Sequence, residues 1–163
     1  LNFKKRKCCL TCVDKILTKT SRMAKPLVTC LLFDGQAEAA AKFYCTVFKN
    51  SKITQVTPMV VTFELNGNKF MGLNGGPKLN FDEKISFMIS CDTQDEIDYY
   101  WETFTKDGGA ESMCGWVKDK FGVSWQIVPT RITELLSEPE KAKRVMDVVM
   151  QMKKLDIAKI ESA

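Results

Sequence analysis

The chain has 163 residues, 45% of them apolar and 27% charged, which suits one domain with tails and excludes collagen-like and wholly disordered chains. It contains no histidine, so Ser-His-Asp and His-Cys catalysis, His-ligated zinc and an imidazole pH switch are excluded. Its net charge of +4 is uneven: residues 1–22 hold seven basic side chains against Asp14, a local +6, and the other 141 residues carry −2. A slightly acidic body gives no support to a nucleic-acid partner.

Residues 1–22 contain little that folds alone, and Met23 opens MAKPLVTCLLF, which reads as a protein start. Leu1–Arg22 is therefore expected to be an appendage, vector-encoded or translated from upstream, with a short amphipathic helix over Cys8–Lys19 as the alternative. No uninterrupted apolar run follows the basic cluster, as a signal peptide requires, and no stretch approaches the roughly 18 apolar residues of a membrane span. Cys9 and Cys12 form a lone CxxC without the second pair that a zinc ribbon needs. Cys30, Cys45, Cys91 and Cys114 stand singly among apolar residues. They are expected to be buried free thiols, which points to a reducing, cytoplasmic setting.

Val28–Phe33 is a short apolar run that predicts a buried strand. Asp34 is a good N-cap for a helix over Gln36–Phe48, where Ala37, Ala40, Ala41, Tyr44 and Phe48 recur at helical spacing. Lys52–Thr57 predicts a strand. Val60–Leu65 and Lys69–Leu73 flank Asn66-Gly67, a strong two-residue hairpin signal. Asn74-Gly75-Gly76-Pro77 breaks the chain.

The pattern then repeats. Ile85–Cys91 predicts a strand. Asp92 or Thr93 caps the next helix, with Glu96 completing a capping box after Thr93. Ile97, Tyr100, Trp101 and Phe104 form its inner face, and Gly108-Gly109 ends it. Strands follow over Glu111–Gly115, Trp116–Asp119 and, after a turn at Lys120–Gly122, Ser124–Val128. The order is βαβββ twice, an internal duplication with modules over about 26–77 and 84–130. A helical tail, 131–163, starts a helix at Ser137-x-x-Glu140 with Pro139, and Asp156 caps a last turn. Ala142, Val145, Met146, Val149 and Met150 make one apolar stripe, expected to pack on the body or on a second subunit rather than to serve a cofactor.

Four runs, LLFDGQAEAAAKFY, VTFELNGNKFMGLNGGP, SFMISCDTQDEIDYYW and CGWVKDKFGVSWQIVP, carry a family resemblance. They are similar to the PhnB-like branch of the vicinal-oxygen-chelate (glyoxalase/bleomycin-resistance) superfamily, a branch also labelled 3-demethylubiquinone-9 3-methyltransferase. The resemblance covers Ala24 to about Ile160, so residues 23–163 form the domain. It implies an α+β fold of paired βαβββ modules, each curling into half of an open barrel, assembled as a homodimer. Methyl transfer is not expected, because Asn74-Gly75-Gly76-Pro77 leads into a polar loop instead of the helix that a cofactor-binding glycine turn requires.

Metal-dependent members of the superfamily place His or Glu ligands on cleft-facing strands. Projected onto this chain, those positions hold Thr29, Asn74, Ser86 and Gln126. Neutral amides and hydroxyls are weak donors to a divalent ion, so the resemblance implies neither a metal nor a cofactor here. The same residues suit a neutral small-molecule pocket, with Phe33, Phe63, Phe87, Trp116 and Trp125 as candidate apolar walls. The alternatives for the tryptophans are core or dimer packing, and for Gln126 a structural amide. Alternation points Glu64 and Glu111 outward. The connection Gln55–Met59 is shorter than the glycine-rich loop of relatives: either the loop is short in this protein, which leaves the cleft more open, or residues are absent from the sequence there. The expected function is small-molecule binding. An enzyme acting on a small organic substrate and a purely structural dimer are the alternatives.

Overall fold

The computed structural model describes residues 27–75 and 80–163. The basic stretch Leu1–Arg22, with Cys9 and Cys12, lies outside them. The first module consists of β1 (Thr29–Phe33), α1 (Ala37–Val47), β2 (Ser51–Val56), β3 (Val60–Leu65) and β4 (Asn68–Asn74). The second repeats it with β5 (Phe87–Cys91), α2 (Gln94–Thr105), β6 (Ala110–Glu111), β7 (Trp116–Lys118) and β8 (Ser124–Pro129). The strand orders are β1-β4-β3-β2 and β5-β8-β7-β6, so the two sheets share one topology, a parallel pair followed by two antiparallel pairs. This is the paired βαβββ fold, and the duplication seen in the sequence holds.

Local chemistry explains the elements. Asn66 and Gly67 both take positive φ, 49° and 81°, as a tight primed turn between β3 and β4 requires. Alternation in β3 buries Val61, Phe63 and Leu65 and leaves Val60, Thr62 and Glu64 on the other face. The small residues Ala37, Ala40 and Ala41 let α1 lie close to sheet 1. A Cβ on Gly72 would meet the Ala37 side chain at 3.0 Å. In the second module α2 buries larger residues, Ile97, Trp101 and Phe104.

Three sequence expectations change. Asp34 does not cap α1: the preceding residue is Gln36, which makes no side-chain cap, and Asn74 Oδ1 accepts the Ala37 N–H instead, at 3.0 Å. The strand expected over Glu111–Gly115 shrinks to Ala110–Glu111, because Cys114 and Gly115 turn the chain with φ of 59° and 81°. Of the four thiols, Cys91 is buried and Cys45 and Cys114 are half-buried, but Cys30 is exposed. Its neighbours Leu31 and Phe33 take the core side of β1, so alternation turns Cys30 to the open side.

The tail forms α3 (Ile132–Leu135), α4 (Pro139–Val149) and α5 (Ile157–Glu161). Val145, Val149, Leu155 and Ile160 pack with Val128 in a second apolar cluster. Pro139 sits in the first turn of α4, and Asp156 caps α5 by accepting the Lys159 N–H. Of the five stripe residues, Val145 and Val149 are buried and Ala142 is half-buried; Met146 and Met150 remain exposed. Gln94 fastens the tail to α2 by donating to the Leu155 carbonyl at 3.1 Å and accepting the Ile157 N–H at 3.0 Å. Among the described residues no helix is long and apolar enough to cross a membrane.

Candidate functional site

The helix-bearing sides of both sheets share one core. Its centre is aromatic: Trp125 of β8 stacks on Phe104 of α2 at 4.6 Å and lies edge-on to Tyr44 of α1 at 5.4 Å. Beneath them Asp119, only 2% exposed, lies just beyond β7. One carboxylate oxygen accepts the Tyr44 hydroxyl at 2.8 Å and the Trp125 indole N–H at 2.9 Å. The other accepts the Phe121 and Val123 backbone N–H groups at 2.9 and 3.0 Å. A buried carboxylate needs such partners, and these four join α1, β8 and the turn into β8. Burial pushes the Asp119 carboxyl above the usual carboxylate range, against the four hydrogen bonds, which pull it down. Burial, with the neighbouring Asp119 charge, likewise holds the Tyr44 phenol well above its ordinary value, so it stays a donor.

Beside this network a cleft of about 370 Å³ opens between the modules. Phe48, Leu65, Phe70, Phe87, Tyr100 and Trp125 are among its walls, and Thr29, Asn66, Asn68 and Ser90 supply polar groups. Thr29 pairs with Phe70 in sheet 1, and Phe87 pairs with Trp125 in sheet 2, at equivalent registers. The cleft thus gathers the same cross-strand pair from each module. None of its lining residues is Asp, Glu, Lys or Arg. Burial raises the Tyr100 phenol above its ordinary value, which keeps that wall neutral. Apolar walls with a few polar groups, at this volume, are the usual form of a small-molecule site.

Of the residues singled out from the sequence, Thr29, Phe87 and Trp125 meet in this cleft. Ser86 and Gln126 meet elsewhere, where the Gln126 amide donates to the Ser86 hydroxyl at 2.8 Å. Trp116 is the cross-strand neighbour of Gln126, on the sheet face away from the shared core. Phe33 is 3% exposed and lines a separate depression of about 450 Å³ with Phe81 and Phe121. Asn74 is occupied: besides capping α1, it donates its amide to the Pro58 carbonyl at 2.9 Å, tying down the short Thr57–Met59 connection. Phe63 belongs to the core, stacked on Phe70 at 5.3 Å. Glu64 pairs with Lys52, and Glu111 with Lys153 and the Trp101 indole.

These residues do not fit a resident divalent metal. Thr29, Asn74, Ser86 and Gln126 offer only neutral donors; the Asn74 amide is engaged at both ends, and Ser86 and Gln126 bond to each other. Among the described residues no three His, Cys, Asp or Glu side chains gather closely enough to hold an ion. Nor is the buried Cys91 a nucleophile at neutral pH, because burial pushes its thiol up to about 12.

Sequence reasoning missed Asp119, Tyr44, Phe48, Phe70 and Tyr100 as a constellation. The available signals were an acid immediately before a Lys-Phe-Gly turn and inner-face aromatics on both helices, but only the fold brings them together.

Residues 25–128 match the family described as 3-demethylubiquinone-9 3-methyltransferase. A PhnB protein from Bacillus cereus, described in the same terms, is 30% identical; the likeness covers 64% of this chain and 99% of that one, with a TM-score of 0.59. A protein from Pseudomonas aeruginosa shares the fold at 16% identity, over 65% of this chain and 98% of that one, with a TM-score of 0.55. A Staphylococcus aureus protein does so at 15% identity, over 66% and 95%, with a TM-score of 0.52. No curated protein matches the chain significantly.

Proposed function

The chain belongs to the 3-demethylubiquinone-9 3-methyltransferase family in its PhnB-like form, and from that premise we propose that it binds a small molecule by seating an aromatic ring in an uncharged cleft, without a metal. The observation that carries this reading is the uncharged aromatic cleft between the modules. Desolvating a charged ligand there would cost more than the rim can return, whereas a planar apolar ring would find stacking partners on several sides.

The transfer named in the family description is a different matter. Helix N-termini commonly hold the anionic part of a cofactor. Here both helix starts that follow a first strand are engaged, α1 by Asn74 and α2 by Thr93 and Glu96. That favours binding over methyl transfer.

The proposal includes a homodimer. The sheet faces turned away from the shared core expose Cys30 on β1 and Met88 on β5, with Leu32, Met71, Leu73, Trp116 and Gln126 partly exposed. Light scattering of the purified chain should give twice the monomer mass.

Thermal-shift screening with uncharged aromatic compounds tests the binding reading. A ligand at one hundred times its Kd adds about 2.7 kcal/mol of stability. Thr29→Arg, at the exposed rim, should abolish the shift while leaving the unliganded protein folded. Failure of every neutral aromatic compound to stabilise the protein would overturn the reading.

A further inference from the structure

A second cavity, of about 450 Å³, adjoins the first, and both are lined by Asn66 and Tyr100. Its character is different. Asp95 and Glu96, in the first turn of α2, line it together with Lys49 and Tyr99. The three charged groups leave the lobe with a net charge of −1, beside a cleft that has none. Tyr99 and Tyr100 stand edge-to-face with ring centres 5.1 Å apart, forming an aromatic corner. The Tyr99 hydroxyl is held by the Val47 carbonyl at 3.1 Å. Glu96 spends one oxygen on the Asp92 and Thr93 N–H groups. Among the described residues neither Asp95 nor Lys49 forms an ion pair.

We propose that the two cavities form one bipartite site, in which the neutral cleft takes an aromatic ring and the Tyr99–Tyr100 corner with Asp95 takes a positively charged amine. The inference rests on the binding reading above and names the ligand class: an aromatic amine with a short alkyl spacer. A cation over a tyrosine face is attracted by the ring's negative surface, and a carboxylate at the edge adds its own field. The partly exposed lobe lets an ammonium keep some of its water, so it avoids the full desolvation that the inner cleft would impose. Glu96 is already committed to the capping box, which leaves Asp95 as the acid that decides the preference.

Isothermal titration of the full chain with phenylbutylamine and with phenylbutanol tests this. The two probes share ring and spacer, so their difference reports the amine. The amine should bind about tenfold more tightly. Asp95→Asn, on the helix surface, should abolish the preference and leave the alcohol's affinity unchanged. Tyr99→Leu should reduce the amine's affinity and spare the alcohol's. Equal affinities of the two probes for the parent chain, or an amine preference that survives Asp95→Asn, overturn the bipartite site and leave the neutral-ring reading intact. If neither probe binds while other neutral aromatics do, the bipartite site alone fails. If no neutral aromatic binds either, both readings fall.

Discussion

In the first module, helix α1 receives its cap from Asn74, a residue 37 positions along the chain, whereas helix α2 of the second is capped by its own Thr93 and Glu96. The same topology has therefore been stabilised by two devices. The capping box works within one turn and needs nothing else to fold. The Asn74 cap exists only after β4 has paired with β1, so the start of α1 depends on its sheet. The contrast extends to packing. Helix α1 approaches β4 through Ala37 against Gly72, while α2 buries Ile97, Trp101 and Phe104. The tail also packs against the second module, through Val128 and Cys114. Duplicated halves can keep strand order and still diverge in how each element is held.

The joint between the halves should be the most sensitive point. Asp119→Ala leaves the Tyr44 hydroxyl, the Trp125 indole and two backbone N–H groups without their acceptor, and is expected to cost about 3 kcal/mol or more in urea unfolding. A loss under about 1 kcal/mol would mean that the modules are held by aromatic packing alone.

Next in size is Gly115, at the turn where the second module meets the tail. It has φ of 81°, and a Cβ there would lie 2.6 Å from the Ile127 carbonyl oxygen. Gly115→Ala should destabilise by about 2–3 kcal/mol, seen as a lower Tm.

The two caps give the direct test of the contrast. Thr93→Ala should cost about 1 kcal/mol. Asn74→Ala removes two hydrogen bonds and should cost about 1–2 kcal/mol, with faster hydrogen exchange in both the first turn of α1 and the Thr57–Met59 connection. Equal and purely local effects would erase the distinction between a local and a long-range cap.

pH sharpens the picture at the joint. Because burial raises the Asp119 carboxyl, the folded state holds its proton more tightly than the unfolded chain does. That contribution is full below the unfolded value of about 3.9 and is lost as pH rises through the folded value. As pH rises above about 4, the parent should lose stability relative to Asp119→Asn, measured by urea midpoints. The opposite slope would mean that the four donors outweigh burial.

Smallest is Ser124 on β8, whose buried hydroxyl has no partner among the described residues. Its register counterpart in the first module is the exposed Lys69. Ser124→Ala should gain about 0.5–1 kcal/mol, since it removes a desolvated group at no hydrogen-bond cost. A loss instead would show that the hydroxyl has a bound partner.

Legibility in the sequence followed range. Asn66-Gly67 and Thr93-x-x-Glu96 announce a hairpin and a helix start because the physics lies within four residues. The periodicity of Ala37, Ala40 and Tyr44 showed which side of α1 is buried, but not that Tyr44 reaches Asp119. Asn74 read equally well as a ligand position or a chain breaker, since its acceptor role depends on a parallel pairing that no local pattern encodes. Thr29 and Trp125 line one cleft. Ser86, Gln126 and Trp116 lie on the sheet face opposite that cleft, a difference set by how the modules pack.

The Tyr44–Asp119 bond, spanning 75 residues, also imposes a schedule on biosynthesis. Helix α1 leaves the ribosome with its aromatic side uncovered and its phenol unanswered. At 5–20 residues per second the acceptor follows roughly 4–15 s later. During that interval the first half presents Tyr44 and Phe48 without their second-module neighbours, and a chain interrupted before Asp119 has no acceptor for the Tyr44 hydroxyl. The second half thus acts as an intramolecular escort for the first.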